Sequence, residues 1–112
     1  MIVTWRGTAP RAGGGPEVVV YTRERCGLCR RAEELVAREA RRATVRHVDV
    51  DADPDLVARF GVRVPVVLVD GREVAELEVP RGAVRRAVRA ARRRARRDRG
   101  GVDGFGRRGP AT

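Results

Sequence analysis

The two cysteines of this chain, Cys26 and Cys29, fall where its hydrophobic period changes, and few folds accommodate that junction. Before them runs Val18-Val19-Val20-Tyr21-Thr22, a β-branched and aromatic stretch suited to a buried strand. After them Leu28, Ala32, Leu35, Val36, Ala40 and Ala43 recur at helical spacing, with arginines and glutamates on the opposite face. A strand that ends as a helix begins sets both cysteines at the leading end of that helix. There the unpaired backbone N–H groups and the helix dipole favour an anion, so Cys26 is read as a thiolate nucleophile. Cys29 lies one turn further along the same face. It can reach a mixed disulfide formed at Cys26, and it is read as the resolving thiol.

The rest of the pattern alternates in the same way. A second strand is expected over 44–50. Asp53-Pro54 opens a short helix, aspartate as its N-cap and proline at the first helical position, with Leu56 and Phe60 inward and Gly61 at its end. Val64-Pro65-Val66-Val67-Leu68-Val69 reads as a third strand with a proline near its beginning. Asp70-Gly71 is a hairpin signal leading to a fourth strand over 72–78. A last helix spans 81–97, with Val84, Ala87, Val88, Ala91 and Ala95 at helical spacing. The order β-α-β-α-β-β-α implies an α/β fold with a four-stranded mixed sheet, parallel at first and closed by an antiparallel hairpin. Residues 1–16 are read as a flexible leader, 17–98 as one domain and 99–112 as a disordered basic tail.

The chain has 112 residues, room for one domain. No run approaches the ~20 consecutive apolar residues a membrane span needs. A cytoplasmic location is expected, where a close cysteine pair reads as redox-active or metal-binding, not as a structural staple. Zinc needs about four ligands. The only other soft ligand is His47, read as a surface strand residue, so no metal is expected. The net charge of +10 resembles a nucleic-acid signal until it is located. Residues 1–80 carry 13 arginines and 13 acidic residues, whereas 81–112 carry 12 arginines against Asp98 and Asp103. The body is balanced and the end is basic. Arg92-Arg93-Arg94 and Arg96-Arg97 have no interleaved aromatics, which favours a solvated helix end over specific nucleic-acid recognition.

Tyr21-Thr22-Arg23-Glu24-Arg25-Cys26-Gly27-Leu28-Cys29 resembles the active-site segment of glutaredoxins. The likeness continues through Asp49-Val50-Asp51, Asp53-Pro54-Asp55-Leu56, Phe60-Gly61-Val62-Arg63-Val64-Pro65-Val66 and Asp70-Gly71-Arg72-Glu73. Together these are similar to the small bacterial glutaredoxin-like proteins with a C-x-L-C site. The resemblance implies a minimal thioredoxin-like topology and a dithiol–disulfide oxidoreductase. It also implies a cis bond between Val64 and Pro65, in a loop beside the cysteines whose backbone binds substrate. Arg23 occupies the position of a basic residue that contacts glutathione's carboxylate in glutaredoxins, and Tyr21 and Arg63 are expected with it among the substrate-binding residues. The glycine pair and acidic or hydroxyl residues that hold the other end of glutathione are replaced by Glu78-Val79-Pro80-Arg81. The resemblance therefore implies no tightly bound cofactor, with glutathione or another low-molecular-weight thiol as co-substrate. Protein or small-molecule disulfides are the expected partners of a monomer. The rival reading is a non-enzymatic module that holds a partner in the proline groove, or a partner or polyanion on the arginine-rich helix.

Overall fold

The computed structural model describes residues 5–7 and 15–104. Its elements are β1 (Trp5–Gly7), β2 (Glu17–Thr22), α1 (Gly27–Glu39), β3 (Thr44–Asp49), a 3-10 turn (Val50–Ala52), α2 (Pro54–Phe60), β4 (Val66–Val69), β5 (Arg72–Glu76) and α3 (Ala83–Gly104). The sheet order is β1-β3-β2-β4-β5. β2 and β3 run parallel, while β4 pairs antiparallel with both β2 and β5. From β2 onward the β-α-β-α-β-β-α order and the mixed four-stranded sheet are those read from the sequence.

Three boundaries move by a few residues, α1 closing at Glu39 before Ala40 and Ala43, β3 closing at Asp49 with Val50 in the 3-10 turn, and α3 opening at Ala83 instead of 81; four further differences have a local physical cause. Residues 5–7, inside the segment read as a flexible leader, form β1 and pair antiparallel with β3. The outer edge of β3 would otherwise present a row of unpaired backbone groups, and β1 covers its stretch from Arg46 to Val48. β4 begins at Val66, after Pro65, which has no N–H to give to a ladder. β5 ends at Glu76 because Leu77 adopts a left-handed φ of 65° and turns the chain aside. α3 runs through Gly100 and Gly101 to Gly104, beyond the expected end at 97 and into the segment read as a disordered tail. Each glycine costs about 1 kcal/mol relative to alanine, but extending a helix already nucleated adds one hydrogen bond per residue. Positions 1–4 and 8–14 of the leader and 105–112 of the tail lie outside the described residues.

The local signals act as expected. Asp70 and Gly71 both take positive φ, 50° and 82°, as a tight hairpin turn requires. Asp53 caps α2, its carboxylate accepting the Asp55 N–H at 2.9 Å, with Pro54 in the first helical position. One group of core residues joins Val18 and Val20 of β2 and Val67 and Val69 of β4 to Val36 of α1 and Val84, Val88 and Ala91 of α3. A second joins Cys29, Val48, Val50, Leu56, Phe60, Val64 and Val66. The second group fixes the site, because it packs α1's first turn against the loop that precedes β4.

Glu39, at the end of α1, is only 4 % exposed. Its two carboxylate oxygens accept the N–H of Gly82 at 2.7 Å and of Arg85 at 3.1 Å. A side chain of the first helix thus satisfies the orphan donors at the start of the last one. The sequence pattern places the glutamates of α1 on its solvent face, and this one is not there.

Candidate active site

Cys26 is the N-cap of α1. Its backbone is extended (φ −123°, ψ 112°), and its Sγ accepts the backbone N–H of Cys29 at 3.1 Å. Its carbonyl accepts the N–H of Arg30, also at 3.1 Å, closing the first helical turn. An N–H donated to sulfur at the positive end of a helix stabilises a thiolate there. Cys26 is half-buried, while Cys29 is 1 % exposed, and both are free thiols. Burial pushes the Cys29 thiol up from its ordinary range, and the hydrogen bond with Cys26 pushes the same way. The Thr22 hydroxyl and the Arg23 backbone act against them. The two sulfurs are therefore inequivalent, one open and the other screened.

That inequivalence has a measurable sign. In the reduced protein Cys29 is expected to resist alkylation until the pH passes above the ordinary thiol range near ~8.5. The unfolded chain's thiol ionises first, so the stability contributed by protonated Cys29 is complete below that range. It declines as pH rises toward the folded value. Mass mapping after iodoacetamide treatment and urea unfolding across alkaline pH measure the two effects. Labelling of Cys29 as fast as Cys26 at neutral pH would contradict the geometry.

The Val64–Pro65 peptide is cis, as the resemblance implied. Val64 belongs to the same packed group as Cys29, and Cys26 rests against that group. The Leu77 N–H reaches the carbonyls of Arg63 at 3.2 Å and Pro65 at 2.8 Å, tying the end of β5 to this loop. Among the described residues, no backbone partner is taken by the N–H or carbonyl of Val64 between those two anchors.

The remaining candidates are near the site but are engaged. Tyr21 stacks on Phe60, with ring centroids 4.2 Å apart and planes 17° from parallel. Arg23 grips Asp51 through two hydrogen bonds, 3.1 and 2.8 Å, and the Gly61 carbonyl through a third at 3.0 Å. The pairing with Arg23 holds the Asp51 carboxyl below its usual range. Arg63 binds Glu76 at 2.7 Å and Glu73 at 2.5 Å, and its guanidinium lies 5.7 Å from the Phe60 centroid. Each arginine joins α2 and its flanking turns to another part of the fold.

Two hollows flank α1. One, of about 430 Å³, opens beside Cys26 and is lined among others by Thr22, Arg30, Glu33, His47 and Asp49. His47, expected at the surface, faces this space. The other, of about 390 Å³, lies between Leu28, Arg31 and Leu35 of α1 and the segment Glu78-Val79-Pro80. Leu28, Leu77 and Val62 stand exposed, Val62 at 92 %. Among the described residues no group of three or more His, Cys, Asp or Glu side chains could hold a metal ion. Nor is any helix there long and apolar enough to cross a membrane. Sequence reasoning passed over Glu33; the signal available was its position four residues after Cys29, on the same helical face.

A family model described as "Glutaredoxin-like domain (DUF836)" matches residues 17–89. The chain belongs to that family. Proteins named only as uncharacterized from Mycobacterium tuberculosis and Mycobacterium bovis are 38 % identical over 71 residues, covering 57 % of this chain and 73 % of the relative. A structural-genomics target protein of X. campestris superposes with a TM-score of 0.57 at 32 % identity, covering 66 % of this chain and 97 % of that one. A single-site mutant of a thioredoxin from Halobacterium salinarum gives 0.53 at 26 % identity, covering 70 % of this chain and 76 % of that one. The glutaredoxin-like domain thus has a thioredoxin-like α/β fold, with its cysteine pair at the helix start.

Proposed function

We propose that this glutaredoxin-like domain is a dithiol–disulfide oxidoreductase. The Cys26 thiolate attacks one sulfur of a protein or small-molecule disulfide, forming a mixed disulfide and releasing the other half as a thiolate. Cys29 then attacks the Cys26 sulfur. The Cys26–Cys29 disulfide forms, the second half leaves as a thiol, and the substrate has gained the two electrons the pair has lost. An external thiol of low molecular weight, glutathione or another, restores the pair in the cytoplasm, with no cofactor held between turnovers.

The observation that carries this reading is the Cys26 Sγ capping α1 and accepting the Cys29 N–H at 3.1 Å, with Cys29 screened behind it. Substrate alignment is supported by the peptide groups of Val64, which take no backbone partner among the described residues and suit an extended segment laid alongside. The exposed Leu28, Val62 and Leu77 add apolar contact. With Arg23 and Arg63 already paired, their part is to position the loop and α2 and to contribute positive potential.

Cys29→Ser is expected to trap the first intermediate. After incubation with oxidised glutathione or a disulfide-linked peptide, intact mass should show one substrate half bound, and digestion should place it on Cys26. Absence of the adduct, or equal adduct formation in Cys26→Ser, defeats the proposal.

A further inference from the structure

The arginines of α3 do not pair as those of the body do. Arg23, Arg46 and Arg63 each meet a carboxylate, on Asp51, on Glu17, and on Glu73 with Glu76. Eight arginines lie between 85 and 97 on α3, and among the described residues no carboxylate pairs with any of them. The helix itself does not account for this run. Cations are favoured in a helix's last turn, where they complement the dipole. With α3 continuing to Gly104, that turn holds no basic residue. The reading of the run as a solvated helix end placed the end at 97, and it loses its physical basis. Arg85 lies instead in the first turn, where the dipole opposes a cation. Arg85 and Arg89, Arg89 and Arg93, and Arg93 and Arg97 are four residues apart, so like charges repel along one face.

The position of the run adds a second observation. Ala91 is buried in the core, whereas Ala95, one turn further along the same stripe, is exposed. From there α3 leaves the core, and the stretch from 92 to 104 is about 20 Å long. The Arg92 guanidinium donates to the Arg41 carbonyl, which sets the exposed Arg41 and Arg42 beside the root of this stretch. At about 100° per residue the arginines of α3 cover an arc of about 200°, more than half of the circumference. A ligand that meets all of them must flank the helix on both sides.

We propose that the far half of α3 is a docking surface for duplex DNA, held through its phosphates without regard to base sequence. The major groove is about 12 Å wide and admits a helix, with phosphates along both walls. Arginine presents a fork of donors that matches phosphate. A lipid surface is a poorer match, because an interfacial helix needs a face of large apolar side chains, and from 92 to 98 the only apolar residue is Ala95. An acidic protein face would meet one side of the helix only. The run holds no aromatic residue on which the bases of a single strand could stack. The major groove of duplex RNA is too narrow and deep for side chains to enter.

Fluorescence anisotropy of a labelled DNA duplex, titrated with the intact chain, tests this. If about four phosphates are neutralised, affinity should fall about a hundredfold between about 50 and 200 mM salt, linearly on logarithmic axes. Two duplexes of unrelated sequence should bind alike. Arg93→Gln with Arg97→Gln should flatten the salt slope by about two, and Arg93→Lys with Arg97→Lys should preserve it. Both positions are exposed, so far-UV circular dichroism should show the helix retained in both pairs. No anisotropy change at the lower salt, or equal slopes in the glutamine and lysine pairs, overturns the proposal. So does equal or tighter binding to a DNA single strand, an RNA duplex, phosphatidylserine vesicles or a glutamate-rich peptide. None of these results bears on the chemistry of Cys26 and Cys29.

Discussion

Cys26→Ser is expected to lower the rate of disulfide reduction by at least about three orders of magnitude, the scale on which removal of a nucleophile acts. A serine hydroxyl neither ionises near neutral pH nor exchanges with sulfur, so attack has no substitute. The folded structure should survive intact. Serine is among the preferred N-cap residues, and its oxygen can accept the Cys29 N–H that the Cys26 sulfur now takes. Loss of activity with an unchanged denaturation midpoint would therefore report chemistry alone. The buried Cys29 is poorly placed to replace Cys26 as first attacker, being 1 % exposed. Turnover of insulin or a small disulfide, measured beside urea unfolding, is the check. Retention of more than about a tenth of the wild-type rate would rule out Cys26 as the nucleophile.

Glu39→Ala is expected to be damaging although it lies away from the cysteines, with a loss of about 2–4 kcal/mol. The N–H groups of Gly82 and Arg85 lose their acceptor at a position where the carboxylate is 4 % exposed. Orphaned buried donors cost about 1–3 kcal/mol each, and water entering the space returns part of that. Set against a total of about 5–15 kcal/mol for a domain, this is a large fraction. Glu39→Gln keeps one oxygen but turns an amide NH2 toward a donor, so an intermediate loss is expected. Chemical denaturation of the three proteins gives the order directly. A Glu39→Ala midpoint indistinguishable from wild type would mean that the cap contributes nothing.

What the sequence disclosed and what it withheld divide along the range of the interactions. Val18 to Val20, Asp53-Pro54 and Asp70-Gly71 each act through backbone preferences within a few residues. They were legible, and so was the strand-to-helix junction that carries Cys26 and Cys29. The pairing of Arg23 with Asp51 and of Arg63 with Glu73 and Glu76 joins residues 28, 10 and 13 positions apart. In a chain with 25 arginines no local cue marks which ones are engaged. The family resemblance turns both arginines toward substrate, and both are gripped by carboxylates. Glu39 was obscured for a related reason. It occurs among helix charges that read as solvated, although its place three residues after Val36 falls on the apolar stripe. β1 escaped because three residues are too few to carry a period.

The capping of α3 by Glu39 also separates two ends of the molecule. Cys26 and Glu39 bracket the 13-residue helix α1, which is about 20 Å long. Whatever seizes the arginine-studded far portion of α3 pulls on a fastening at the opposite pole from the sulfurs. A surface or affinity handle that holds the exposed Arg96 and Arg97 of α3 should therefore leave thiol exchange untouched, which makes that portion of the helix the natural point for tethering the domain to a reporter.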